Sequence, residues 1–261
     1  MYVLTAVAPL FAANCYVVVA DDGVSCVVVD VGGGIARRVR DVVAEHGLRP
    51  VAVLATHGHV DHTWGAAEVS KAFGIALRVH AADAYRLADP FGTLGLGDGS
   101  FGPLAQALGA VGIPPSGYEV PARIETFGGG ADPGQVPEVA RLDLGGLLFA
   151  GAPLGVLHAP GHTQGASVYL IDGAPGLGSV LQFAPGEEHL AGGATRTALT
   201  GDVLFAGSIG RTDLPGGDDA AMARTLRRLT AALDPGTLVL AGHGPATRMD
   251  FERRRNPYLA R

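Results

Sequence analysis

The chain is 261 residues long, 48% hydrophobic and 17% charged, with a formal net charge of −6, enough for one large domain or two small ones around a sizeable core. No basic stripe offsets the acidic balance: the densest cationic cluster, Arg253, Arg254 and Arg255, reads as a solvated helix face, which argues against nucleic acid as a main partner. Cys15 and Cys26 are too few for a disulfide framework and lack the spacing of a structural zinc site, so both are expected to be reduced thiols of a cytoplasmic protein.

The opening apolar stretch has no basic n-region and reads as two short strands rather than a signal peptide. "NCYVVVA", the turn "DDG" and "SCVVVDVGGG" form a β-meander rich in β-branched residues, with Asp30 ending the second strand at a Gly-rich turn. Ile35, Val39, Val42 and Val43 recur at a helical period and predict a helix from Ile35 to His46, closed by Gly47. "VAVLAT" (51–56) is a continuous apolar strand, residues 64–73 read as a helix closed by Gly74, and "IALRVH" as the next strand. Residues 83–135, rich in Gly and Pro, are expected to form long loops and short helices over one sheet edge. The second half repeats the pattern, with strands near 138–143, 147–150, 154–158, 166–171 and 196–200. A helix from Ala220 to Leu233 follows, with Met222, Leu226, Leu229 and Leu233 on one face, and "TLVLAGHG" is a last buried strand leading into a loop. No linker interrupts this order, so residues 1–261 are read as one α/β domain of two sheets face to face, covered by helices. No run reaches the ~18 apolar residues of a membrane helix.

"LATHGHVDHTWG" places His57, His59, Asp61 and His62 within six positions at the end of the 51–56 strand. Alternate residues of an extended segment point the same way, so His57 and His59 can meet one ion, while Asp61 and His62 diverge as the chain turns and suit a second. Imidazole with carboxylate suits zinc, and also iron or manganese. Loop histidines that only hydrogen-bond backbone would not need this density. Further candidates end other apolar runs beside a Gly: His162 in "HAPGHTQGASVYL", Asp202 in "TALTGDVLF" and His243 in "LVLAGHGPA". His80 and His158 are read as supporting or structural residues, His46 as a helix-end residue facing the dipole, and His189 has no assigned role.

In order and spacing, "THGHVDH", "PGHTQGAS", "TGDVLF" and "AGHGP", with Asp30 after the second strand, resemble the metallo-β-lactamase superfamily over nearly the whole chain. The resemblance implies an αβ/βα sandwich with two divalent ions at one edge: His57, His59 and His162 on the first, Asp61, His62 and His243 on the second, and Asp202 bridging them. It implies zinc, with iron or manganese as alternatives, and gives Asp61 and Asp202 catalytic roles around a shared hydroxide that attacks an acyl carbonyl. "GDVLFAGSIGRTDLPGGD" looks like the glyoxalase II-like branch, thioesterases that hydrolyse S-acyl thiols, in its short bacterial form, since 18 residues follow His243. Arg211 and Asp213 are expected to brace the loop after Asp202, and the stretch from Asp172 to Thr197 to shape a different acyl or thiol pocket. The expected partner is a small molecule, without nucleic acid or membrane, and the chain could be a monomer or a homodimer. The alternative on the same fold is a persulfide dioxygenase with one iron on His57, His162 and Asp202. A further alternative is a non-catalytic module with a structural metal.

Overall fold

The computed structural model describes residues 1–97, 102–128 and 139–259. The chain opens with the expected meander, in which β1 (Tyr2–Val7), β2 (Asn14–Val19) and β3 (Ser25–Val29) pair antiparallel in order. Helix α1 (Ala36–Glu45) crosses to β4 (Arg49–Leu54), parallel to β3. A single turn, α2 (Val60–Thr63), and α3 (Ala66–Phe73) lead to β5 (Leu77–His80). A 3-10 turn over Ala81–Leu87, helix α4 (Pro103–Ala110) and strand β6 (Ile124–Phe127) complete the first half.

The second half begins with β7 (Ala140–Arg141), β8 (Gly155–His158) and β9 (Ser167–Ile171). Then come β10 (Arg196–Gly201), a small hairpin of β11 (Leu204–Phe205) and β12 (Ser208–Ile209), and α5 (Asp219–Ala232). Strand β13 (Thr237–Ala241), strand β14 (Thr247–Arg248) and helix α6 (Met249–Arg255) close the fold. Two six-stranded sheets result, in the orders β1-β2-β3-β4-β5-β6 and β14-β13-β10-β9-β8-β7.

Alternation along the strands divides the apolar residues among three layers. Val18, Val27, Val29 and Leu54 of the first sheet meet Tyr169, Ile171, Leu199, Leu238 and Leu240 of the second. The alternate residues face out: Val17, Val28, Val53 and Val79 pack beneath Val39 and Val43 of α1 and Val69 of α3. Val168, Leu170 and Val239 pack beneath Met222, Leu226 and Leu229 of α5. Burying each such side chain contributes about 1.5–3 kcal/mol before the entropy of ordering it is set against it. This is the helix–sheet–sheet–helix sandwich expected from the sequence.

Several boundaries differ from the expectation. The helix expected at 64–73 is two pieces, beginning at Val60 and broken at Gly65, whose N–H donates to Val31 O at 2.8 Å; a Cβ there would lie 2.8 Å from Val31 Cγ1, so the chain passes the end of β3 only as glycine. Residues 147–150 form no strand; Phe149 and Ala152 close a turn, with Ala150 at a φ of 55°. Within the expected loop region 83–135, Ile124–Phe127 forms an edge strand parallel to β5. The parts of that region at 98–101 and 129–135, and residue 138 at the start of the strand expected near 138–143, lie outside the described residues. Of the three C-terminal arginines, Arg253 departs from a purely solvated face: its guanidinium donates to the Thr230 and Leu233 carbonyls at the end of α5, each at 2.5 Å.

Candidate metal centre

The ends of β3, β4, β10 and β13 and the loop between β8 and β9 meet at one edge of the sandwich, and cross-sheet hydrogen bonds fix how they meet. Tyr169 of the second sheet donates its hydroxyl to Ala55 O just beyond β4, at 2.8 Å. From the first sheet, Tyr16 donates to Ala241 O at 2.6 Å, and the Asn14 amide donates to Ala241 O at 3.0 Å and Gly244 O at 2.9 Å, pinning the segment that carries His243.

All seven candidate side chains come together here. They fall into three overlapping sets whose ligand atoms lie within 4.8 Å of one another: His57, His59 and His162; His57, His62 and Asp202; and Asp61, His62 and His243. His162 Nε2 is 2.9 Å from His59 Nδ1, and His62 Nε2 is 3.1 Å from His243 Nε2. Asp202 stands between the two groups, with Oδ1 3.3 Å from His62 Nε2 and Oδ2 3.6 Å from Nε2 of both His162 and His243. Asp61 Oδ2 lies 3.3 Å from His243 Nε2.

Four of the five imidazoles are oriented alike, each anchored through Nδ1 so that Nε2 faces inward. His57 Nδ1 is 3.1 Å from Thr56 Oγ1, His62 Nδ1 is 3.0 Å from Asp30 Oδ2, His162 Nδ1 is 2.7 Å from Arg211 O and His243 Nδ1 is 3.0 Å from Phe11 O. An Nδ1–H donated outward fixes the tautomer that leaves the Nε2 lone pair for a cation. His59 is the exception and turns Nδ1 toward His162. Asp30, in a left-handed conformation at φ 57°, accepts from the Thr56 N–H and hydroxyl at 2.8 and 2.7 Å while it holds His62.

Burial first, and then the neighbouring imidazoles, hold His57 well below the ordinary imidazole range and His59 down to about 3. Both are neutral imidazoles at physiological pH. At Asp61 and Asp202 burial favours the neutral acid, but His62 foremost, with the other histidines, outweighs it and keeps both carboxyls below the usual range. Burial opposes a proton on His62 as well, yet Asp202, Asp61 and Asp30 raise it well above its ordinary value. Three carboxylates thus create a demand for positive charge at this point.

The donor set fits a cation. His57 Nε2 and Asp202 Oδ1 are buried and without a hydrogen-bond partner among the described residues, a cost of about 1–3 kcal/mol for each orphaned group. Imidazoles and carboxylates without a thiolate are a set for zinc, iron or manganese. Cys15 and Cys26 are buried in β2 and β3, burial pushes both thiols up (Cys26 to about 12), and neither belongs to these sets.

The metallo-β-lactamase superfamily model matches residues 8–177. The chain belongs to this superfamily. As a metallo-β-lactamase-fold hydrolase it is 36% identical over 259 residues to an uncharacterised protein of Mycobacterium tuberculosis, covering 97% of this chain and 95% of that one. It is 29% identical to the hydroxyacylglutathione hydrolase GloC of Haemophilus influenzae, over 95% of this chain and 93% of GloC. Two solved structures superpose with a TM-score of 0.66: the BLEG-1 B3 metallo-β-lactamase, 26% identical over 99% of this chain and 100% of that one, and TTHA1623 in a di-iron-bound form, 27% identical over 98% and 100%.

The remaining histidines lie outside the centre. His80 stacks on His158 with ring centroids 4.0 Å apart, His46 caps α1, and His189 Nδ1 bonds Gly186 O at 3.0 Å. Arg211 and Asp213 pair with each other at 2.6 Å, while the Arg211 carbonyl holds His162. Thr56, Asp30 and the Phe11 carbonyl complete the support. Asp30 is legible in the sequence by its place after a strand and before glycines, and Thr56 as the first residue of "THGHVDH", whereas Phe11 carries no sequence signal because it contributes only backbone.

Proposed function

We propose that the chain is a thioesterase of S-acyl low-molecular-weight thiols, with two divalent ions held by His57, His59 and His162 and by Asp61, His62 and His243, and bridged by Asp202. The observation that carries the two-ion reading is the position of Asp202, within 3.6 Å of imidazole nitrogens from both histidine groups. The full-length similarity to GloC supports a 2-hydroxyacyl thioester as substrate. A di-iron-bound relative keeps iron beside zinc and manganese as the resident metal.

When bound, the ions supply Lewis acidity toward the acyl carbonyl and an acidified water as nucleophile. The chain supplies orientation and charge. Asp61, beside His243 at 3.3 Å, is placed to accept a hydrogen bond from the attacking water and fix its direction. The neutral His57 and His59 offer lone pairs, and the anionic Asp61 and Asp202 supply negative charge that cations held here would meet. A thiolate is a good leaving group, so no general acid is required, and neither buried cysteine is placed to act as a nucleophile. A location in the cytoplasm accords with the reduced thiols, and no helix among the described residues is long and apolar enough to cross a membrane.

The test is a hydrolysis screen over S-lactoyl and other S-acyl thiols, β-lactams, lactones and phosphodiesters, with metal content measured on the same sample. Turnover of S-acyl thiols above all other classes is expected. Oxygen uptake on glutathione persulfide with a single iron per chain would replace this reading by the dioxygenase.

A further inference from the structure

Beneath the histidine segments lies a buried carboxylate that the proposed chemistry does not use. Asp83, in the 3-10 turn after β5, is fully buried. Its Oδ2 accepts from the Gly58 N–H at 2.9 Å and the Thr163 hydroxyl at 2.6 Å; its Oδ1 accepts from the Gly165 N–H at 2.8 Å and Arg86 Nε at 3.4 Å. Gly58 lies between His57 and His59, and Thr163 follows His162. One side chain therefore ties together the two segments that carry the three-histidine half of the centre. Arg86, equally buried, extends the tie to a third segment: its Nη2 donates to Pro215 O at 2.8 Å, and Arg211 in the same stretch offers the carbonyl that holds His162. The other half is fastened elsewhere, His62 on Asp30 and His243 on the Phe11 carbonyl.

We propose that Asp83 is a positioning residue that sets the separation of the His57–His59 and His162 segments, and thereby the affinity of that half of the centre for its ion. The inference rests on the reading above that these histidines hold a metal. Its physical basis is acceptor capacity: an ionised carboxylate accepts on both oxygens, and all four donors around Asp83 point at it. An asparagine has one accepting oxygen and turns an NH2 toward donors on the other side, so at least one backbone N–H loses its partner and the two segments part. The glycines leave no slack on the near side, since a Cβ on Gly58 would lie 2.9 Å from Arg86 Cβ and one on Gly165 2.7 Å from Asp83 Cβ.

The experiment titrates metal-free wild type, Asp83→Asn and Thr163→Val with zinc(II) against a chromogenic chelator. Cobalt(II) absorption follows the ligand geometry, and a thermal melt of each metal-free protein reports folding. Asp83→Asn is expected to weaken one of the two ions by about 10–100-fold and leave the other unchanged; Thr163→Val, which removes one of the four hydrogen bonds to Asp83, weakens the same ion less. In a His243→Ala background, where the three-histidine half remains, the loss should persist in full. Equal weakening of both ions, or unchanged affinities in folded variants, overturns the proposal while leaving the thioesterase reading intact. If Asp83→Asn does not fold, Thr163→Val decides by the same criteria. A wild-type chain that takes up neither zinc nor cobalt overturns both.

Discussion

At Asp202 a single carboxylate faces imidazoles of both histidine groups, and one of its oxygens has no hydrogen-bond partner among the described residues. Replacing it by Ala removes the shared ligand, so the loss of hydrolysis should exceed the roughly 100-fold that removal of an outer partner costs; steady-state assay of Asp202→Ala checks this, and retained turnover would remove the residue from the site. The thiols provide a contrasting test. Cys15 and Cys26 are 1% and 0% exposed, and burial raises both, so a thiol-reactive chromophore should label neither in the native protein and both after unfolding. Rapid labelling of the native chain would place a thiol at the surface. At this scale His162, Asp202 and His243 were legible because each follows an apolar run and neighbours a Gly, and His57, His59, Asp61 and His62 were legible by their density at the end of one strand. Asp83 and Arg86 were not, because "HAADAYRLAD" reads as an ordinary polar turn and only the folded chain brings it under loops 25 and 80 residues away.

Strand ends supply the geometry of the centre, and where they converge the backbone is crowded. A Cβ on Gly242, after β13, would overlap Asp202 Oδ1 and lie 2.8 Å from His62 Cε1. Gly242→Ala should therefore displace Asp202 and lower metal content and activity together, with the circular dichroism of the fold retained; unchanged metal content would show that the strand ends yield. On the other side of the β4 end, β5 and β8 bring His80 over His158. Burial first, then the neighbouring His158, holds His80 down to about 4 from its ordinary 6.5, with Asp83 acting in the opposite sense. The unfolded chain thus binds the proton first as pH falls, so this residue's share of stability is intact above about 6.5 and lost toward about 4. In metal-free protein, His80→Gln should lower the thermal midpoint less than wild type does between pH 7 and pH 5; an equal drop would assign the acid sensitivity elsewhere. The long strands and amphipathic helices were legible from periods of 2 and 3.6, whereas β6, with Glu125 and Thr126 among its four residues, presents no apolar run and is strand only by pairing with β5.

Across the whole molecule, the two sheets share one apolar layer and bring their loops to a common edge. Polar ties across that layer, Tyr169 to Ala55 and Tyr16 to Ala241, make the site depend on how the halves dock. Ions held by residues of both halves would stabilise the folded state by mass action. At a thousandfold excess over Kd this is about 4 kcal/mol for one ion, or roughly 10 °C in thermal midpoint for a chain of this size. A strong chelator should lower the midpoint by that order, and zinc should restore it; no shift would mean that the fold does not bind metal tightly. The face-to-face sandwich was legible from the alternation of strands and helices, but the polar ties that pin one half on the other were not, since they are single hydroxyls that contact carbonyls more than a hundred residues away.

The central claim, that both halves of the centre hold an ion and meet at Asp202, is tested most directly by elemental analysis of the hydrolytically active protein. Two divalent ions per chain are expected, falling to one or none in Asp202→Ala. One ion per chain at full thioesterase activity would contradict it.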